Sequence, residues 1–294
     1  MADYHPFHPS PRRPAILPPP GTCDSQFHVL GDPETYPTRP GAAYQMPTAT
    51  WERARHVHEQ LGISRGIIVQ TTTYGADHSV VLDALKAMGA NYKGCANALV
   101  FAEKDEAYLA ELDAAGVNGA RFSFREALGA VLNDEDFRAA TDRLRDLGWY
   151  MKVQPEQTGI AQHVDKLSGV DIPILIDHMG RADASKGVND ENITALKKQL
   201  DRGNVWVMLS LGEKISVEGA PFDDVVPLAQ TLIEHAPERC VWATDWPHPV
   251  SKNPPPNDAD LLELFYRYAP DEGLRKQILV DNPAKLFGFE AWPQ

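Results

Sequence analysis

His28 in the stretch FHVL, His178 after the apolar run IPILID and Asp245 at the end of VWATD each close a short hydrophobic segment. Imidazole and carboxylate are the groups that move protons near neutral pH, and imidazoles can also face the oxygen on which charge develops when a carbonyl is attacked. Arg121 in GARFSF and Arg181 in HMGR stand at comparable places. A guanidinium beside an apolar run needs a counter-ion, and the carboxylate of a ligand, gripped bidentately, is a natural one. Each residue also has a structural reading. A strand histidine can be hydrogen-bonded in a core, a buried aspartate can be satisfied by a partner, and an arginine can pair with an acid of the same fold.

The elements that carry these residues repeat. Apolar runs suited to buried parallel strands occur at Thr22–Leu30, Gly66–Thr71, Lys93–Leu99 and Asn118–Phe124, then at Trp149–Gln154, Ile172–His178, Val205–Ser210 and Cys240–Asp245. Amphipathic stretches at helical spacing lie between them, among them Asp77–Met88, Asp105–Ala115, Asp134–Leu147 and Asp223–His235. Parallel neighbours need crossovers, and eight such units close into a barrel. A doubly wound sheet is the rival architecture, but the first strand runs into QFHVLGDPETYP without the GxGxxG turn of its nucleotide-binding forms. The expectation is an α/β fold: one (β/α)8 TIM-barrel domain over 21–294, preceded by an extended Pro-rich arm over 1–20 with little structure of its own. Chemistry in such barrels gathers at the C-terminal strand ends. Reading those positions returns His28, Gln26, Thr72, Arg121, Arg125, Gln154, His178, Arg181, Ser210 and Asp245. Alternation with period two predicts that Asp24, Gln26 and His28 share one face.

A net charge of −13 argues against nucleic acid as a partner, because phosphate binding needs a basic face. It does not argue against a small anion, since a few arginines in a pocket outweigh a distant, screened field. No run reaches the roughly 18 apolar residues of a membrane span, and the opening residues lack a secretory pattern, so the expectation is a cytoplasmic protein without a membrane partner. Cys23, Cys95 and Cys240 are far apart and form no CxxC pair, which points to packing rather than zinc or disulfides. A homodimer stays open.

The segments CDSQFHV, VQTTTYGADH, GARFSF, IDHMGR, WATDWPHP and DNPAKLFGF, in this order, resemble the amidohydrolase superfamily from about Pro19 to Phe289. Within it they are similar to the lactonase branch, which includes pyrone-dicarboxylate hydrolases, sugar-lactone isomerases and sulfomuconolactone hydrolases. The superfamily begins with a D-x-H-x-H element whose histidines bind a divalent metal. Here it reads Asp24-Ser25-Gln26-Phe27-His28, and glutamine is a poor zinc ligand. The resemblance therefore implies catalysis without a cofactor, with a single zinc held by His28, His178 and Asp245 as the alternative. It implies further that His178 polarises a lactone carbonyl, that His28 and Gln26 face the oxyanion, and that Asp245 activates water, a role suited to a carboxylate whose pKa burial raises. Arg121, Arg181, Tyr44 and Thr72 match substrate-holding positions of the branch. Arg125 and Gln154 stand near places where the pyrone-dicarboxylate enzymes carry an arginine and a tyrosine, and Lys214 in SLGEKIS offers a second anion contact. The implied reaction is hydrolysis of a small anionic lactone in the catabolism of aromatic or sugar acids. Isomerisation of a sugar-acid lactone, metal-dependent decarboxylation and mere ligand binding are the competing readings.

Overall fold

A computed structural model of the chain describes residues 4–293. Eight parallel strands follow one another in sequence order: β1 Cys23–Phe27, β2 Arg65–Val69, β3 Tyr92–Asn97, β4 Val117–Ser123, β5 Tyr150–Gln154, β6 Ile174–Ile176, β7 Val205–Leu209 and β8 Cys240–Trp242. Helices cover the outside, including Trp51–Leu61, Ser79–Met88, Glu106–Ala114, Asp134–Leu147, Glu191–Leu200, Val226–His235 and Asp258–Tyr268. This is the (β/α)8 barrel that the strand-and-crossover pattern implies. One crossover departs from it, because β5 reaches β6 through a 3-10 segment, Ala161–Leu167, rather than an α-helix. The linker there is punctuated by Pro155, Gly159 and Gly169, and Gly159 holds φ +98° with the Asn192 side chain packed where a Cβ would sit.

Strand alternation sorts the side chains into two cores. Ile67, Val69, Cys95, Tyr150, Leu175, Trp206, Met208 and Val241 fill the barrel, while Ile68, Ala96, Phe122, Val153 and Val207 pack against the helices. All three cysteines are free and buried, in keeping with a packing role. Continuing the inward phase past the strand ends brings Arg121, Lys152, Gln154, Asp177, Ser210 and Asp245 towards the barrel mouth. In β1 the register shifts between Asp24 and Phe27, and this irregularity corrects the expected alternation. Cys23 points into the barrel, whereas Asp24 reaches His58 of the helix Trp51–Leu61 on the outside. Gln26 and His28 resume the inward face.

That misfit has a use. No ladder joins β1 to β8. The seam is closed beyond the strand ends, where Asp245 N donates to Gln26 O at 3.0 Å and His28 N to Trp246 O at 2.7 Å. Asp24 clasps it from behind. Its Oδ1 accepts from Thr244 N at 3.0 Å and Gln26 N at 3.1 Å, and its Oδ2 from Thr244 Oγ1 at 2.5 Å and faces His58 Nε2 at 3.2 Å.

Residues 4–20 contain no helix or strand among the described residues, and the first three residues of the expected arm lie outside them. This stretch runs over the helix Asp258–Tyr268, with Arg12 paired to Asp260 and Glu263, and Phe7 against Trp246 at 4.9 Å between ring centroids. No helix among the described residues is long and apolar enough to cross a membrane. Because Asp24 is fully buried and holds two strands, Asp24→Ala is expected to cost about 3 kcal/mol of stability in urea titrations, the scale of breaking a buried pair. A loss below about 1 kcal/mol, the worth of one ordinary hydrogen bond, would show that the clasp does not hold the seam.

Candidate active site

The inward residues converge on one cavity of about 680 Å³ at the C-terminal mouth. Its walls carry His28, Tyr44, Arg121, Arg125, Gln154, His178, Arg181, Lys214 and Asp245, and a rim is formed by Pro249–Pro256. Two residues expected at the site are not on the wall. Gln26 lies fully buried beneath it, and Thr72 is buried off the wall near Tyr44. Sequence reading missed Lys152, Asp177 and Glu213. The first two were detectable as a lysine inside the apolar run YMKVQ and an aspartate ending IPILID, since charges in such places need each other.

His178 and Asp245 stand in loops just past β6 and β8 and hold left-handed backbone conformations, with φ +56° and +60°, as do Arg181 and His248. An L-residue avoids this region at a cost of about 1–2 kcal/mol. The geometry swings these side chains off the strand direction and over the barrel mouth. Asp245 Oδ1 accepts from Gln26 Nε2 at 2.6 Å and faces His28 Nε2 at 3.4 Å, and its Oδ2 lies 3.7 Å from Lys214 Nζ. His28 is oriented by Nδ1 donating to Val69 O at 2.7 Å. His178 contacts Ser210 Oγ through Nδ1 at 2.9 Å, while its Nε2 faces Gln26 Nε2 at 3.3 Å, Arg121 Nη2 at 3.4 Å and Asp245 Oδ1 at 4.0 Å.

These surroundings set the charges. Burial pushes the Asp245 carboxyl up, but His178, His28 and Lys214 outweigh it and hold the group well below its usual range. The sequence-based expectation of a raised pKa is thus reversed: burial acts as expected, and the neighbouring donors and cations win. Burial drives His178 down to about 3, against the opposing pull of Asp245 and Asp177, so the ring is neutral at pH 7. Burial, with Arg125 beside it, lowers Arg181 to about 10, leaving it cationic. Deeper in the barrel, burial raises Asp177, yet Lys152 and Arg121 hold it below its usual value. Arg125 and Arg181 have no acidic partner within 4.0 Å among the described residues, and the Nε of each is buried without a hydrogen bond. The cavity wall thus carries arginine charge that no neighbouring carboxylate among the described residues answers.

The donor set does not suit a divalent cation. The amide of Gln26 directs its N–H groups at Asp245 and His178, filling the space between the two groups that a metal would bridge. Arg121 and Lys214 bring like charge to the same place. No group of three His, Cys, Asp or Glu side chains among the described residues is arranged to hold a metal ion.

Three histidines should dominate the pH dependence of stability. His178 and His78 have folded pKa values near 3 and 4, against 6.5 unfolded, so the unfolded chain binds more protons below pH 6.5 and stability rises with pH there. For His248, burial pulls downward, but Asp258 at 3.0 Å and Glu213 at 3.7 Å lift it to about 9. Its contribution is complete below pH 6.5 and is lost as pH climbs through 9. Urea titrations across pH are expected to give maximal stability near pH 6.5, and a continued rise from pH 7 to 9 would contradict the His248 assignment.

The chain has named counterparts. Residues 17–289 match the family described as Amidohydrolase. The 4-sulfomuconolactone hydrolase of Rhizobium radiobacter is 36% identical over 276 residues, covering 92% of this chain and 91% of that one. The 2-pyrone-4,6-dicarboxylate hydrolase of Comamonas testosteroni is 32% identical over 297 residues, covering 98% and 95%. A crystal structure of an Agrobacterium tumefaciens protein superposes with a TM-score of 0.83 at 30% identity, covering 95% of this chain and 100% of that one. With the family match running from the arm to the last helix, the chain belongs to the amidohydrolase family.

Proposed function

We propose that this amidohydrolase opens a small lactone bearing a carboxylate or sulfonate, and that it does so without a metal. The observation that carries the reading is the meeting of Asp245, His28 and His178 with Arg121, Arg125 and Arg181 on one cavity wall. Proton-transfer groups and anion-binding groups face the same space. The names of the relatives support the ring and the anion together, since one acts on a sulfomuconolactone and another on a pyrone dicarboxylate.

In this proposal water attacks the ring carbonyl carbon and Asp245 takes one of its protons, while His28, Arg121 and His178 face the oxygen that becomes negative. The ring C–O bond then breaks, and the departing oxygen takes the proton that Asp245 removed from the water, which returns Asp245 to its carboxylate form. In the free protein the donors of Gln26 and Arg121 favour a lone pair on His178 Nε2. Once the carbonyl oxygen accepts from Arg121, the ring can change tautomer by giving the Nδ1 proton to cavity water and taking one from water at Nε2; the Ser210 hydroxyl then rotates to donate to Nδ1, and Nε2 presents its proton to the carbonyl. The anion of the lactone does a second job. Docked among Arg121, Arg181 and Lys214, it offsets the positive field that weakens Asp245 as a base, so basicity rises when substrate is bound.

Asp245→Asn is expected to lower the rate of acid release by a factor of about 10² to 10⁴ while leaving lactone binding in place, measured by pH-stat and calorimetry over a panel of anionic lactones. Turnover at the wild-type rate would remove Asp245 as the base, and a change of ring size without acid release would replace hydrolysis by isomerisation. The substrate-induced rise in basicity has its own signature. The acid limb of kcat should lie at higher pH than that of kcat/KM, because the former reports the bound and the latter the free protein. Coincident limbs would refute it.

A further inference from the structure

Beneath the cavity floor, Arg121, Lys152 and Asp177 come from three successive segments of the barrel, with Arg121 and Lys152 in direct register across β4 and β5. Like charges side by side in a dry interior repel, and Asp177 sits between them. Its Oδ2 accepts from Arg121 Nε at 2.8 Å and its Oδ1 lies 2.8 Å from Lys152 Nζ. The side chains of Lys152 and Asp177 are 0% exposed, so neither touches a ligand. No second carboxylate lies within 4.0 Å of either cation among the described residues, and the other polar neighbour of Lys152 is the Met208 sulfur at 3.6 Å. Two cations sharing one carboxylate leave one positive charge unbalanced, and Arg121 alone of the three reaches the cavity.

We propose that Lys152 is a positioning residue that reserves Arg121 for the anion of the substrate. By occupying one oxygen of Asp177, it limits Arg121 to a single bond to that carboxylate, through Nε, and leaves the terminal nitrogens of the guanidinium, of which Nη2 faces His178 Nε2 at 3.4 Å, on the cavity floor for a carboxylate or sulfonate. Without Lys152 the Arg121–Asp177 pair becomes neutral and self-satisfied, which keeps the core tolerable but removes the charge that draws the ligand. The inference rests on the anionic-lactone reading, so its test uses a ligand that needs no turnover.

Calorimetric binding of succinate, a plain dicarboxylate, is compared in wild type, Lys152→Met and Lys152→Gln, the second keeping a donor to Asp177 should the first fail to fold. Each single variant is expected to bind about tenfold or more weakly, the effect of one charge at this distance in a protein interior. The double variant Lys152→Met with Asp177→Asn restores one unbalanced charge and should regain most of the affinity, which a packing role for Lys152 would not produce. With lactones, the ratio of kcat/KM for the free acid over its methyl ester should fall about tenfold in Lys152→Gln. Succinate binding within twofold of wild type in the single variants, no recovery in the double variant, or no saturable binding to wild type would each overturn the proposal. Failure of every lactone to turn over, with the succinate pattern intact, would count against the hydrolase reading alone.

Discussion

An ionised group inside a barrel from which water is excluded must be answered by an opposite charge or a full set of hydrogen bonds, because its desolvation costs several kcal/mol. This requirement organises the mouth of the protein. Asp245 is answered by Gln26, His28 and Lys214, and Asp177 by Arg121 and Lys152. The same requirement keeps His178 neutral, since a buried imidazolium beside Arg121 and Arg181 would go unanswered. What it leaves over is positive charge, carried by Arg125 and Arg181, on a chain whose net charge is −13. The excess is local, and locality is what lets an acidic protein select an acidic ligand.

The packing of the barrel serves that arrangement. Aliphatic and aromatic side chains of the inner core fill the barrel below the charged layer, so the cations have nowhere to relax except towards the mouth. The seam between β1 and β8 lies directly under Gln26 and Asp245, and the backbone bond that closes the barrel is made by the same two residues that touch through their side chains. Barrel closure and the side-chain contact share these two residues, so the distance from Asp245 to its amide neighbour is set by the fold.

Much of this was legible beforehand. The eight strands could be placed because a fully buried parallel strand is an apolar run with few rivals, and His28, His178, Asp245 and the arginines because polar side chains ending such runs are conspicuous. The bulge in β1 was not legible, since a one-residue slip leaves the residue types unchanged and alters only the direction of Asp24. Nor was the sign of the shift at Asp245. Burial can be read from a sequence, but the neighbours that overrule it come from residues 178, 28 and 214, which only the closed barrel brings together. Lys152 escaped notice for a similar reason. Its neighbours Met151 and Val153 disguise it as part of a hydrophobic strand, and its partner lies 25 residues along the chain.

The left-handed turns at His178, Arg181 and Asp245 carry an evolutionary implication. Glycine would occupy those φ values without strain, so the polypeptide would be sturdier if it surrendered the side chains that give the mouth its chemistry. Selection for heat resistance alone would push these positions towards chemical silence. Histidine, arginine and aspartate at these φ values make the mouth the region where the backbone carries strain in order to present its side chains.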